Sequence, residues 1–323
     1  MPDGTGLDKF AKVFPDRFFD VGIAESCTVD MAAGIARCGL RPVVAIYSTF
    51  LQRAFDQIFQ EVVLQGLPVV FCIDRAGLVG GDGAVHHGFL DIGYLRGFPE
   101  MALLAPADEN ELKAALRFAL AQPRACAIRY PRADVPEPMG DAPPFESGVA
   151  RLMRDGRDAT ILAYGSSVGP ALDAADLLAS QDIFVRVYNA RFARPIDGEM
   201  LRAGLGSACA AEGGPHPVIT VEEHSVVGGF GAAVLEVAQE MGLPTQHIAR
   251  LGMPADRFIQ HGSRAGQLAE CGLDEAGIAA AVAEALRVPP SRRPVMPQPL
   301  RRGVPIASAH LVTPHRQPPR AGE

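Results

Sequence analysis

The chain has 323 residues, enough for two domains that each bury a hydrophobic core. Its hydrophobic fraction of 48% and charged fraction of 21% are typical of globular proteins. The formal net charge of −7 argues against a broad surface for nucleic acid or for an anionic membrane. The polar start of the chain predicts no secretion signal, and no apolar run is long enough to span a membrane, so we expect a cytoplasmic protein.

The cysteines are scattered along the chain and form no CxxC pair. Several lie inside apolar runs, as Cys72 does in VVFCID (69–74). We therefore expect buried, reduced thiols of a cytoplasmic protein rather than disulfides or a metal site.

In the first part of the chain, short apolar runs alternate with helical patterns. This alternation is typical of βαβ units, in which helices cover both faces of a parallel sheet. A β-rich run over 17–23 is the first strand candidate, and buried strands are predicted at 41–48, 67–74, 100–106 and 125–131. Helices are predicted over 50–66 and 108–122, the second with an acidic first turn.

The second part of the chain repeats the alternation. Strands are predicted at 158–165, 182–190, 216–223 and 245–252, with helices near 168–180, 197–205, 229–241 and 274–287. The predicted fold class is therefore α/β, with two parallel-sheet domains.

A polar, proline-rich stretch separates the two blocks and sets the predicted boundaries. The first domain takes residues 1–133, a linker 134–147 and the second domain 148–287. Residues 288–323 are rich in proline and arginine without an amphipathic period, which predicts a disordered tail. The first strand candidate follows only a short polar lead, so we expect the first domain to be incomplete at its start.

One carboxylate stands out in FFDVGIAESCTVDMAAGIA (18–36), because Glu25 falls where a helix should begin. A carboxylate there compensates the positive end of the helix dipole, for about 0.3–1 kcal/mol. Taken alone, Glu25 would be interpreted as a helix cap.

The second informative stretch is IDRAGLVGGDGAVHHGFLDIGYL (73–95). A buried strand brings Asp74 and Arg75 to its carboxyl end, where α/β sheets place their ligands. A glycine-rich loop follows, whose glycines allow tight turns and close backbone approach, and behind it come Asp82, His86 and His87. An adjacent histidine pair is usually a surface loop, but acid, arginine and imidazole together favour a functional site.

The same loop contains a GDG sequence at 81–83, with Asn110 further along the chain. The pair resembles the GDG…N pattern by which thiamine diphosphate enzymes hold Mg²⁺. Because Asn110 lies in the acidic start of a predicted helix, we predict no metal site here. The adjacent His86 and His87 have no suitably spaced cysteines for zinc.

Longer strings carry a more specific resemblance. FFDVGIAE (18–25), the run from Pro42 to Arg96, PADENEL (106–112) and IRYPR (128–132) together resemble the pyrimidine-binding domain of the 1-deoxy-D-xylulose-5-phosphate synthases. This family belongs to the transketolase-like thiamine diphosphate enzymes. Three later strings resemble the C-terminal domain of the same family: RFARPID (191–197), TVEEHSVVGGFGAAV (220–234) and RFIQHGS (257–263). The resemblance therefore extends to about residue 287.

The resemblance implies condensation of pyruvate with glyceraldehyde 3-phosphate, a step toward isoprenoid precursors and thiamine. Glu25 would hydrogen-bond N1′ of the cofactor's aminopyrimidine and share its proton. Phe50 would stack on that ring, and Tyr47 and Arg53 would line the cofactor pocket. Thiamine diphosphate is the electron sink of this chemistry, while the protein supplies orientation and proton handling.

The resemblance also assigns residues to the substrates. His86 would face the substrate and assist proton transfer, with Asp82 supporting its loop. Arg75 and Arg129 would hold the aldehyde's phosphate, for which the planar guanidinium is suited.

Two departures from the family's pattern matter. Ser26 and Cys27 stand where the family usually has Gln-His, which could alter hydrogen bonding to the cofactor. The family's diphosphate-binding domain, which carries the Mg²⁺ ligands, has no counterpart in this sequence. We therefore expect half a cofactor pocket, a separate diphosphate-domain chain and a homodimer or hetero-oligomer, held together by exposed apolar surface.

Three alternatives stay open. The β subunit of a 2-oxo acid dehydrogenase has the same two-domain plan and is naturally a separate chain. A binding protein that keeps the fold without the cofactor would explain the Ser-Cys departure. A truncated reading frame would explain the short first domain.

Overall fold

The apolar runs form two five-stranded sheets with helices packed on their faces. The computed structural model describes residues 2–206 and 216–287, which belong to one compact unit. The predicted tail, 288–323, lies outside the described residues. The strands are β1 (Val43–Tyr47), β2 (Val70–Asp74), β3 (Ala102–Leu104), β4 (Cys126–Arg129), β5 (Arg151–Arg154), β6 (Ala159–Ala163), β7 (Val185–Asn189), β8 (Phe192–Arg194), β9 (Val218–Ser225) and β10 (Ile248–Met253).

Helices connect the strands as the sequence pattern predicts for most of the chain. They are α1 (Pro2–Thr5), α2 (Asp8–Val13), α3 (Glu25–Arg37), α4 (Ser48–Leu51), α5 (Phe55–Gln57), α6 (Asp91–Leu95), α7 (Glu109–Ala121), α8 (Val168–Ala179), α9 (Gly198–Gly206), α10 (Phe230–Glu240), α11 (Arg264–Cys271) and α12 (Glu275–Arg287). Short 3₁₀ turns lie at Pro15–Arg17, Gln52–Ala54, Gly80–Asp82 and Gly165–Ser167, and a π-helical turn at Ile58–Val63.

The strand order is β1-β2-β4-β3-β8 in the first sheet and β10-β9-β6-β7-β5 in the second. Central strands such as β4 and β6 are buried along their whole length, as expected when helices cover both faces. Neither sheet is wholly parallel, since β8 pairs antiparallel with β3 and β5 antiparallel with β7. The α/β class is confirmed, with mixed rather than purely parallel sheets.

The two blocks share a core. One hydrophobic cluster includes Phe71 and Leu103 of the first sheet together with Leu201 of α9 and Phe230 of α10. Strand β8 belongs to the second block by sequence but completes the first sheet. The second block therefore helps to build the sheet that carries the candidate site.

The strand predicted over 17–23 is wrong. These residues form the end of a 3₁₀ turn and irregular chain, with Phe19 60% and Ile23 68% exposed. Turn chemistry replaces strand pairing here, because Gly22 has φ +69° and donates its N–H to the Asp20 side chain.

The helix predicted over 50–66 is broken into α4, a 3₁₀ turn, α5 and the π-helical turn. The interruption lies at Ala54, whose φ and ψ are −103° and 19°. The carbonyl oxygen of the preceding residue, Arg53, accepts a hydrogen bond from Ser26 Oγ. A side-chain donor thus competes with the helical hydrogen-bond ladder at this point.

The cysteine expectation is partly wrong, because Cys27 and Cys38 are exposed. Cys126 is buried and Cys72 is partly buried, as their apolar runs predict. Within the described ranges, no helix has the length and apolarity needed to cross a membrane.

Candidate active site

The site lies at the carboxyl edge of the first sheet. The strand register places Tyr47, at the end of β1, beside Asp74, at the end of β2. On the other side of β2, Ile73 is in register with Arg129, at the end of β4. Three predicted positions therefore meet at one edge, where α/β sheets bind their ligands.

Aromatic rings and guanidinium groups stack in sequence above this edge. The Phe50 ring lies on the Tyr47 ring, with centroids 5.3 Å apart and planes 23° apart. The Arg75 guanidinium lies 3.6 Å from the Tyr47 ring centroid, and that of Arg53 4.8 Å from the Phe50 centroid. His86 meets Phe50 edge-on at 5.6 Å.

Glu25 joins this group from the start of α3. Its carboxylate is buried, and Oε1 lies 3.1 Å from Arg53 Nη1. Ser26 Oγ lies 3.1 Å from the Arg53 carbonyl oxygen, so two consecutive residues of α3 hold the segment that bears Phe50. The buried carboxylate is therefore paired with a side chain of the site, whereas the N-cap of α3 is Ala24 and has no side-chain cap hydrogen bond.

A group of charges lies beside the rings. Arg75 Nη1 is 2.8 Å from Asp74 Oδ2 and 2.9 Å from the carbonyl oxygen of Gly4. Asp82 Oδ2 lies 3.9 Å from Arg75 Nε and also pairs with Arg132. Burial raises the pKa of Asp74, and the neighbouring Arg75 charge offsets part of that effect.

Arg132 is a site residue that the sequence analysis missed. Its guanidinium is about half exposed, and together with Arg75 it brackets Asp82. The available signal was the second arginine of IRYPR, which follows the end of β4 by three residues. A residue just beyond a strand's carboxyl end can reach the site edge, whereas a residue inside the strand is held by the sheet.

Arg129 has different contacts from those that the sequence analysis expected. Its side chain is 7% exposed, with Nε 2.8 Å from Asp91 Oδ2 and Nη2 3.0 Å from the carbonyl oxygen of Glu223. Its guanidinium therefore contacts protein groups on several sides. Binding of a substrate phosphate by Arg129 stays a prediction.

The two histidines of the loop have different surroundings. The backbone N–H of His86 donates to the Gly83 carbonyl oxygen at 3.0 Å, and its Nδ1 lies 3.3 Å from the Asp82 carbonyl oxygen. His87 is buried, and its Nδ1 accepts the Val79 N–H at 3.2 Å. Burial lowers the pKa of His87, so this imidazole stays neutral at pH 7.

Comparisons with known proteins match both blocks of the chain. The family model described as "Transketolase, pyrimidine binding domain" matches residues 1–138, and "Transketolase, C-terminal domain" matches 148–278. A solved structure described as a split gene transketolase in an inactive β4 tetramer has 33% identity and a TM-score of 0.77. The match covers 87% of this chain and 88% of that one. The chain belongs to the transketolase family.

Within the transketolase family, curated relatives named as synthases are more similar. The 1-deoxy-D-xylulose-5-phosphate synthase 1 of Geobacter sulfurreducens is 49% identical over 289 residues, 87% of this chain and 43% of that protein. The 1-deoxy-D-xylulose-5-phosphate synthase of Thermomicrobium roseum is 50% identical, over 86% of this chain and 43% of its own length. The predicted resemblance is confirmed, and the chain spans less than half of either relative.

The transketolase family implies thiamine diphosphate, and the residues at this edge suit one half of that molecule. The buried carboxylate of Glu25 and the half-buried ring of Phe50 both contact Arg53, and this pair of groups suits an aminopyrimidine. The side chain of Asn110 is turned to the Gly140 carbonyl oxygen, 3.3 Å away. Among residues 2–206 and 216–287, no three His, Cys, Asp or Glu side chains cluster to hold a metal ion.

Proposed function

We propose that this chain supplies the pyrimidine-binding half of a 1-deoxy-D-xylulose-5-phosphate synthase-like enzyme, which condenses pyruvate with glyceraldehyde 3-phosphate. The observation that carries the proposal is the connected set formed by Glu25, Arg53, Phe50, Tyr47 and His86 at one sheet edge. The synthase relatives at about half identity supply the reaction class.

Glu25 would hold the aminopyrimidine ring nitrogen and move a proton to and from it. Burial suits this role, because a carboxylate shielded from water interacts more strongly with a ring nitrogen. Phe50 would face the pyrimidine ring, while Tyr47 backs Phe50 and Arg53 orients the Glu25 carboxylate. When bound, thiamine diphosphate supplies the electron sink, and the protein's part is orientation and proton handling.

His86 and the charged group would serve the substrates. His86 contacts the Phe50 ring and would therefore lie beside the bound cofactor, where its imidazole would assist proton transfer with the substrate. Arg75 and the more exposed Arg132 would hold the aldehyde's phosphate, and Asp82, which pairs with both guanidinium groups, would orient them. Phosphate binding by the buried Arg129, which pairs with Asp91, stays a prediction beside this proposal.

A diphosphate-binding chain would complete the pocket and provide the Mg²⁺ ligands. Exposed apolar side chains close in sequence to Glu25 and His86 support such a contact: Phe19, Ile23 and Val85 are 60%, 68% and 72% exposed. The split gene transketolase relative supports it too, since that chain is described as inactive in its β4 form. We therefore propose a hetero-oligomer as the active form and a homo-oligomer as the form of this chain alone.

The experiment is calorimetric titration of thiamine diphosphate with Mg²⁺ into this chain, alone and mixed with candidate diphosphate-domain proteins. We expect binding in the mixture and its loss in Glu25→Ala. Asp30→Ala is the matched control, because Asp30 is an exposed carboxylate on the same helix. A mixture that binds is then assayed with pyruvate and glyceraldehyde 3-phosphate.

The possible outcomes separate the alternatives. Binding that survives Glu25→Ala, or is lost equally in Asp30→Ala, contradicts the assigned role of Glu25. Binding without condensation, but with pyruvate decarboxylation coupled to an acyl acceptor, would favour a 2-oxo acid dehydrogenase β subunit. Absence of binding in every mixture would favour a non-catalytic binding protein.

A further inference from the structure

Three glycines of the loop at 77–83, namely Gly77, Gly80 and Gly83, face the second block of the chain. Gly77 has φ +96°, and a Cβ there would lie 2.5 Å from Glu223 Oε2. Gly83 has φ +74°, and a Cβ there would lie 2.3 Å from His261 Nε2. These positions need glycine because side chains of the second block approach the loop backbone closely.

Most backbone N–H groups of the loop at 77–83 donate hydrogen bonds within the protein. The N–H of Gly77 donates to the Gly88 carbonyl oxygen at 2.8 Å, and that of Leu78 to Glu223 Oε2 at 3.1 Å. The N–H of Val79 donates to His87 Nδ1. A glycine-rich loop that cradles a phosphate keeps its N–H groups for the ligand. In this loop the N–H groups instead donate to acceptors of the protein itself.

Gln267, on α11, makes two hydrogen bonds to the loop backbone at Gly80. Its Oε1 accepts the Gly80 N–H at 2.9 Å, and its Nε2 donates back to the Gly80 carbonyl oxygen at 3.0 Å. The same Nε2 donates to the Gln260 carbonyl oxygen at 2.8 Å. The Gln267 side-chain amide is buried, so losing these bonds would leave polar groups without partners.

Glu223, on β9, provides the second side-chain contact that holds the loop. Its carboxylate is buried and accepts the Leu78 N–H, the Ser166 hydroxyl at 2.7 Å and a guanidinium N–H of Arg264. Its backbone carbonyl oxygen accepts from Arg129. One residue of the second block thus contacts the loop, α11 and the buried arginine at the site edge.

We infer that Gln267 and Glu223 are positioning residues for the loop that carries Asp82 and His86. Both bond the loop at 78–80, immediately before Asp82, and neither belongs to the predicted set of site residues. The second block would therefore set the placement of His86 without contributing a side chain to the pocket. The catalytic role of His86 rests on the proposed function. The hydrogen bonds from Gln267 and Glu223 to the loop do not, because they lie within this chain.

The test uses the full chain and three variants. Gln267→Leu removes both bonds to Gly80, whereas Gln267→Glu keeps an acceptor for the Gly80 N–H and loses the donor. Gln260→Leu is the control, since the exposed Gln260 side chain donates to the Phe258 carbonyl oxygen at 3.4 Å rather than to the loop. The measurements are amide hydrogen exchange and NMR signals of labelled histidine imidazoles.

In Gln267→Leu we expect the amide hydrogen exchange rates of residues 78–83 to rise by about tenfold. A rise of this size corresponds to the loss of roughly one hydrogen bond. The His86 imidazole signals should move, while those of His216, bonded to Thr160 in the second sheet, should not. Gln267→Glu should give the same pattern at least as strongly, because a carboxylate oxygen would face the Gly80 and Gln260 carbonyl oxygens. Gln260→Leu should match the parent chain. A change confined to overall melting temperature would mean a merely structural role.

Unchanged loop exchange and unchanged His86 signals in a folded Gln267→Leu would overturn the inference. If that variant does not fold, the same two measurements on Gln267→Glu decide. Neither measurement needs the cofactor or a partner chain, so a failed calorimetric titration would contradict the proposed function and leave this inference standing.

Discussion

Arg129 and Asp91 form a two-point ion pair in the protein interior. Nε lies 2.8 Å from Oδ2 and Nη2 3.3 Å from Oδ1, with both side chains nearly inaccessible to water. Burial alone would raise the pKa of Asp91, but the Arg129 charge and its hydrogen bonds more than offset this, so the pKa lies below its usual value. Arg129 thereby joins β4 to α6 and, through the Glu223 carbonyl oxygen, to the second block.

Because the pair is buried, removing one charge should be costly. In Asp91→Asn the guanidinium keeps its burial and loses its counter-charge, so we expect the free energy of unfolding to fall by about 3–5 kcal/mol. Glu236→Gln is the control, since Glu236 pairs with Arg96 at the surface and should cost less than about 1 kcal/mol. Urea unfolding measures both. Equal effects would show that burial does not govern the Arg129–Asp91 pair.

Periodicity alone located most of the regular structure. The apolar run at 67–74, for example, contains β2, because a strand buried on both faces needs such a run. The periodicity did not predict β8, because a strand of three residues is too short to show a period. This strand is defined instead by its pairing with β3, which lies about ninety residues earlier in the chain. The periodicity also missed α11, although Ser263 at its N-cap and Gly272 in the left-handed region just after its end were available signals.

The site was predictable where the contacts are local and unpredictable where they are not. Tyr47 and Phe50 stack because they are three residues apart at a strand-to-helix turn. The choice between Arg129 and Arg132 depends on where β4 ends, which the string IRYPR does not specify. The bond from Leu78 to Glu223 joins residues 145 positions apart, so no local pattern indicates it.

Gly77 and Gly81 lie in the same loop but should respond differently to alanine. At Gly77 the positive φ strains a non-glycine residue, and the new Cβ would clash with Glu223, so Gly77→Ala should lose about 1–3 kcal/mol. A methyl group at Gly81 would meet no heavy atom within 4 Å, and the φ of Gly81 lies outside the left-handed range, so Gly81→Ala should stay within about 0.5 kcal/mol. Urea unfolding of the two variants checks this, and similar losses at both would contradict it.

The cysteines should divide into fast and slow thiols. Cys27 and Cys38 are exposed, so both should react with a thiol reagent within the first phase. Burial raises the pKa of Cys72 and of Cys126 to about 12, so these should react only after unfolding. A Cys209→Ser background removes the cysteine that lies outside the described residues, and Cys27→Ser should then remove half of the fast phase. Rapid labelling of Cys126 in the folded chain would contradict the structure.

Glu222 and His224 are buried neighbours on β9 whose titrations oppose each other. Burial raises the pKa of Glu222 to about 7, so its contribution to stability is present below pH 4.5 and is lost as the pH rises to about 7. Burial lowers the pKa of His224 to about 4, so its contribution is present above pH 6.5 and is lost as the pH falls toward 4. Between pH 4.5 and 6.5 the folded and unfolded states therefore hold the same number of protons on this pair.

Single substitutions should expose the two opposing slopes. Relative to the parent chain, Glu222→Gln should gain stability as the pH rises from 4.5 to 6.5, because the parent loses the Glu222 contribution over that range. His224→Gln should lose relative stability over the same interval, with each slope approaching about 1.4 kcal/mol per pH unit. Unfolding free energies from urea titrations at four pH values measure the differences. A flat difference for Glu222→Gln would mean that this carboxyl group is ionised in the folded chain at about pH 5, with its charge stabilised by the Phe230 and Gly231 N–H donors at the start of α10.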